Sequence, residues 1–109
     1  MRVNFTFRNM DSSDGIRAYA TDKVARLQKF VRSPLDVEVT VSVERHLHCV
    51  DLSVAADGHR FGAREESEDM YASIDLALDK IDRQIRDAKA MMTTRKRHGH
   101  APAVDGSDS

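Results

Sequence analysis

With one cysteine in 109 residues, Cys49, the chain can form no internal disulfide, and its fold needs no oxidising compartment. Nor does any apolar run approach the roughly 20 residues that a membrane span requires; the longest are a few residues. The first residues, Met1-Arg2-Val3-Asn4-Phe5, alternate polar with apolar and offer no hydrophobic stretch of a signal peptide. There is no P-loop, no glycine-rich nucleotide fingerprint and no Ser-His-Asp set. Aromatic residues make up only 6% of the chain, and its strand-like segments lack the aromatic pairs of a base-stacking platform, which argues against an RNA-recognition motif. These absences exclude a secreted disulfide scaffold, a membrane protein and a fully disordered chain, and leave a soluble cytoplasmic domain as the expectation. What remains is 40% hydrophobic and 32% charged. A single domain of this length buries roughly two-thirds of its unfolded surface, enough for a core without staples.

The formal net charge of −1 conceals segregation. Residues 12–32 carry five bases against two acids, and residues 80–97 carry seven against two. Residues 36–69 carry three bases against nine acids. If the two basic segments lie side by side, they form a basic face that a polyanion would meet despite the acidic balance of the whole.

Val3, Phe5 and Phe7 alternate with polar neighbours, the period of a half-buried strand. Ser13 is placed to cap a helix whose apolar stripe is Ile16, Ala20, Val24, Leu27 and Val31, edged by Tyr19 and Phe30 and stopped at Ser33-Pro34. Arg17, Arg26, Lys29 and Arg32 fall opposite that stripe, while Lys23 lies within its arc near Tyr19. Val37, Val39, Val41 and Val43 predict a strand, Val50, Leu52 and Val54 a second, and Phe61 with Ala63 a short third; Asp57-Gly58 marks the hairpin between the last two. A further helix begins near Asp69, with Ile74, Ala77, Leu78, Ile81, Ile85, Ala88 and Met92 in one stripe and Lys80, Arg83, Arg86 and Lys89 off it. From His98 onward the composition predicts a disordered tail.

The expected fold is therefore α+β, in the order β-α-β-β-β-α, with both helices on one face of a four-stranded sheet. Val39, Val41, Leu52, Val54, Leu27, Ile74, Leu78 and Ile81 should be buried. The outward faces of the helices would form a continuous ridge-and-groove surface carrying both basic segments, with Asp75, Asp79 and Asp82 interleaved in the early turns of the second helix, and the far side of the sheet would be polar and acidic. Residues 1–94 are assigned to this domain and 95–109 to a basic, then polar, disordered tail.

The string Asp69-Met70-Tyr71-Ala72-Ser73-Ile74-Asp75, with Asp79-Lys80 and Arg83-Gln84 after it, resembles the helix signature of the ribosome hibernation-promoting factors, also called ribosome-associated inhibitors or ribosomal subunit interface proteins. The resemblance extends over about residues 1–92 and takes in the Asp-Gly hairpin and Thr21-Asp22-Lys23-Val24-Ala25-Arg26-Leu27. It is to the short form, which lacks the C-terminal dimerisation domain of the long one. It implies a non-enzymatic translation inhibitor that binds the small ribosomal subunit over the messenger and transfer RNA sites and preserves idle ribosomes in stationary phase or stress. It implies neither cofactor, metal, membrane nor small-molecule substrate, and a monomer when free. Carried over residue by residue, Lys23, Arg26, Lys80, Arg83 and Lys89 match family basic positions, as does Arg17, and Tyr71 matches the motif tyrosine; Lys29 and Arg86, off the apolar stripes of the same helices, complete the expected RNA-binding set. Asp87, Met91 and Thr93 depart from positions that the family often fills with bases, and Arg95-Lys96-Arg97 follow further on.

Two other classes remain open from the residues alone. A free double-stranded-RNA-binding module also sets two helices on a sheet, but it needs a basic helix start, and here Glu65, Glu66, Glu68 and Asp69 have the opposite sign. His46, His48 and Cys49 invite a metal enzyme, yet alternation puts the histidines on one strand face and the cysteine on the other, with no further ligand at suitable spacing.

Overall fold

The computed structural model describes the backbone of residues 1–98 and the side chains of residues 1–90. Its elements run β1 (Arg2–Arg8), α1 (Asp14–Ala25), a 3-10 helix (Arg26–Phe30), β2 (Asp36–Glu44), β3 (Leu47–Ala56), β4 (His59–Ser67) and α2 (Met70–His98). The strands form one sheet in chain order, with β1 parallel to β2 and the other pairs antiparallel. Parallel pairing of β1 with β2 requires a crossover, which α1 supplies. Register aligns Val3, Val37, Val54 and Phe61 in one cross-strand row, and Phe5, Val39, Leu52 and Ala63 in the next. The inward stripes of both helices cover these rows in a single core, and all eight residues expected to be buried are buried.

Each helix starts where a side chain can satisfy a free amide. The Ser13 hydroxyl accepts a hydrogen bond from the Ile16 N–H at 3.1 Å, and Asp69 accepts from the Tyr71 N–H at 3.4 Å. The first helix ends earlier than its stripe suggests. After Ala25 the chain tightens into a 3-10 turn, and Val31 is already extended at φ −131°. That winding turns Gln28 towards the loop, where its Nε2 donates to the Ser33 carbonyl at 2.8 Å and its Oε1 accepts from the Leu35 N–H at 3.2 Å. Leu35 is thereby set into the core, almost fully buried. Helix α2 also buries Met70 and Ser73; the Ser73 hydroxyl donates to the His48 carbonyl and contacts Ser67 Oγ, each at 2.7 Å. Its backbone stays helical through residues 95–98, and the rest of the expected tail lies outside the described residues.

The Asp57-Gly58 turn does more than reverse the chain. Both residues have positive φ, 54° and 78°, the backbone of a tight hairpin turn in which the Gly58 position disfavours any side chain. Asp57 then clamps the loop before β2: its carboxylate accepts from the N–H groups of Arg32 and Ser33, while its own N–H donates to Ser33 Oγ. The Ser33 and Arg32 amides hold the Asp57 carboxyl below its ordinary value of 3.8, and Lys89 adds to the effect. A carboxylate with a depressed native pKa contributes stability that is complete above its unfolded pKa and lost as pH falls through the folded one. Asp57→Asn keeps the shape and tolerates the backbone. We therefore expect it to lower the melting temperature at pH 7, with the gap to the parent closing below about pH 4. A pH series of thermal melts checks this; a gap that persists unchanged at pH 2 would contradict the clamp.

Candidate nucleic-acid interface

The helix layer is the surface on which the sequence places its bases. Tyr19 and Lys23 of α1 and Arg26, the first residue of the 3-10 helix, share the flank that turns towards α2; the Tyr19 hydroxyl donates to Asp75 Oδ1 at 2.7 Å. That hydrogen bond, with some burial, raises the phenol's pKa because ionising it would lose the bond to a carboxylate. The Tyr19 and Tyr71 rings meet edge to face with centroids 4.9 Å apart, so Tyr71 braces the start of one helix against the other. A Cβ at Gly15 would come within 3.2 Å of the Tyr71 hydroxyl, a tight contact that the ring would have to relieve by a small shift. Tyr71 is still 40% exposed, and part of its ring is available to a partner.

Between the helices runs a groove of about 320 Å³ lined by Lys23, Arg26 and Leu27 on one bank and Asp75, Leu78, Asp79 and Asp82 on the other. The acids interleaved among the bases of α2 thus gather on the bank that faces Lys23 and Arg26. The reason lies in helical geometry. Asp75, Asp79 and Asp82 follow at intervals of four and three residues, so they share one flank, and that flank is the one facing α1.

The predicted site residues separate into groups. Arg83, Arg86 and Lys89 are exposed on α2 beyond its first turns; Arg86 also pairs with Asp82 one turn back, at 2.8 Å. Lys80 lies on the opposite flank, towards β4, where Glu65 meets its charge. Lys23 lies over the Tyr19 ring at 5.2 Å, and Lys29 over the Phe30 ring at the same distance. Arg26 makes a loose pair with Asp22 at 3.7 Å. Arg17 is drawn away from the layer, over the Phe5 and Phe7 rings of β1 at 5.5 and 5.1 Å. The structure therefore brings Lys23 and Arg26 together, places Arg83, Arg86 and Lys89 on one exposed stretch of α2, and sets Lys80 apart.

The far face of the sheet also differs from the expectation of an acidic surface. Arg2, Arg8, Arg60 and Arg64 alternate there with Asp36, Glu38, Glu44, Asp51 and Glu66, so the charges nearly balance. Arg2 pairs with Asp36 at 3.2 Å, and Arg64 with Asp51 at 4.0 Å. His46 falls in the turn before β3 rather than on its face, 3.9 Å from Glu68, while Cys49 is half-buried on the far sheet face. Among the described residues no three His, Cys, Asp or Glu side chains converge as a metal site would require.

The profile of the sigma 54 modulation protein / S30EA ribosomal protein family matches residues 3–93. The chain belongs to that family. Among curated members, it is 34% identical over 103 residues to the ribosome hibernation promoting factor of Azotobacter vinelandii, covering 94% of this chain and 95% of that one. It is 33% identical over 85 residues to the protein of that name in Escherichia coli K12, covering 78% of this chain and 90% of that one. The family's fold is shared by solved structures. The N-terminal domain of Thermus thermophilus protein Y superposes with a TM-score of 0.77 at 29% identity, over 81% of this chain and 99% of that one. A ribosomal subunit interface protein from Coxiella burnetii gives 0.70 at 25% identity, over 83% and 99%. Residues 69–75, which carry the sequence resemblance, form the cap and first turns of α2, the segment that braces both helices.

Proposed function

We propose that this S30EA family member binds the small ribosomal subunit in the channel used by messenger and transfer RNA, and inhibits translation by occupying it, without catalysis and in the cytoplasm. The observation that carries this reading is the exposed run Arg83, Arg86 and Lys89 on α2, in the same helix layer as Lys23 and Arg26. Such cations neutralise phosphates and give affinity without base-by-base reading. Helices laid on folded RNA meet its backbone shape and 2′-hydroxyls more readily than its base edges. The contact set is Lys23, Arg26, Lys29, Tyr71, Lys80, Arg83, Arg86 and Lys89, with Lys80 released from Glu65 on binding.

Co-sedimentation with isolated small subunits, large subunits and duplex RNA tests it. Pelleting with small subunits alone is the expected result, and it should weaken steeply as potassium rises. Equal retention on duplex RNA would favour a free double-stranded-RNA-binding module instead. Deleting residues 101–109, which carry two acids and no base, should leave affinity unchanged or slightly raised. Deletion from Arg95 should lower it and flatten its salt dependence.

A further inference from the structure

A purely phosphate-binding surface has no use for the carboxylates that line the groove between the helices. Lys23 and Arg26 form one bank; Asp75, Asp79 and Asp82 form the other; Leu27 and Leu78, both almost fully buried, form its floor. Asp75 is engaged by Tyr19 and Asp82 by Arg86, whereas Asp79 is exposed and enters no ion pair among the described residues. A strip of phosphates alone would be repelled by the acidic bank, and a basic peptide by Lys23 and Arg26. The occupant that satisfies both banks is negative on one side and rich in N–H donors on the other. A single unpaired nucleotide has that composition.

We propose that this groove receives one unpaired guanine nucleotide of RNA, its phosphate against Lys23 and Arg26 and the edge of its base donating to the Asp79 carboxylate. Guanine presents two adjacent donors, N1–H and an N2 amino hydrogen, that match the two oxygens of one carboxylate. Uracil presents a single N–H flanked by carbonyl oxygens that a carboxylate repels. Unpaired bases splayed from folded RNA are the part of it that proteins read by sequence. The proposal rests on the RNA-binding reading above and adds a base-reading site to it. Ribosome retention of the parent tests that reading separately, because the measurement below needs no ribosome.

Fluorescence anisotropy with labelled RNA pentamers UUUUU and UUGUU gives the ratio of their dissociation constants. The expected ratio for the parent is about tenfold in favour of the guanine-containing strand, in the range of one two-bond base contact. In Asp79→Asn the ratio should fall to near one, while affinity for UUUUU holds or rises because a repulsive charge is gone. In Lys23→Gln both affinities should fall and the ratio should persist. A parent ratio near one overturns the proposal, as does failure to bind either strand, or displacement of UUGUU by an arginine-rich peptide that seats on Asp79.

Discussion

Removing three charges from α2 together, as Arg83→Ala, Arg86→Ala and Lys89→Ala, is expected to lower affinity for small subunits by roughly 10²- to 10³-fold near 0.1 M salt. Each phosphate contact releases a fraction of a counterion, so three lost contacts remove two to three powers of the salt dependence, roughly, along with the affinity. All three side chains are exposed and outside the core. Within the fold the variant loses the Arg86–Asp82 pair, a solvent-exposed helical pair worth about 0.3–0.5 kcal/mol, and the minor support that Lys89 gives the Asp57 carboxylate. The variant should therefore keep its circular dichroism and melt within a few degrees of the parent. Full retention on subunits, with an unchanged salt slope, would move the contact surface elsewhere.

Ile81→Ala should have the largest effect on stability. Ile81 is 0% exposed, on the inner stripe of α2 over the sheet. Truncating a buried isoleucine to alanine costs about 2–5 kcal/mol, from the lost transfer energy and the cavity left behind. Domains of this size hold about 5–15 kcal/mol in total. The melting temperature should accordingly fall by about 8–40 °C, at about 4–8 °C per kcal/mol. Leu76→Ala is the matched control: the same helix and a side chain of similar size, but 46% exposed, so its cost should stay near 0.5 kcal/mol or less. Similar losses from the two would contradict the assignment of the helix face.

Both of those residues are legible without a structure, because a period of 3.6 fixes the angle of Ile81 and Leu76 on their own helix. The strands are legible for the same reason: Val37, Val39 and Val41 alternate with polar residues at a period of two, and all three are buried. The 3-10 turn is not, since it goes with the pair of Gln28 hydrogen bonds to a loop five to seven residues away, and nothing in the apolar stripe signals it. The Asp57 clamp escapes likewise. Asp-Gly announces the turn, but its partners at Ser33 and Arg32 are about 24 residues distant in the chain.

The candidate site shows the same division. A helical wheel reports that Lys80 and Lys89 both lie off the apolar stripe. Nine residues apart, they sit about half a turn from each other, and only the neighbours of α2 decide what each flank meets. One flank meets β4 and gives Lys80 to Glu65; the other approaches the Asp57 turn. Asp75, Asp79 and Asp82 read in sequence as ordinary solvated acids of an early helix. Their place opposite Lys23 and Arg26 follows from how α1 packs, a relation between elements that periodicity within one helix does not contain. Gln84 is a similar case: its amide hydrogen bonds to both the N–H and the carbonyl of Gly62, covering part of the free edge of β4.

Occupancy of the decoding channel is tested most directly by binding of labelled protein to small subunits that are either vacant or loaded with messenger RNA and transfer RNA. Competition for one channel predicts saturable binding to vacant subunits, loss of binding on loaded ones, and release of bound transfer RNA as the protein is added in excess. Equal affinity for vacant and loaded subunits, with the transfer RNA undisturbed, would contradict it.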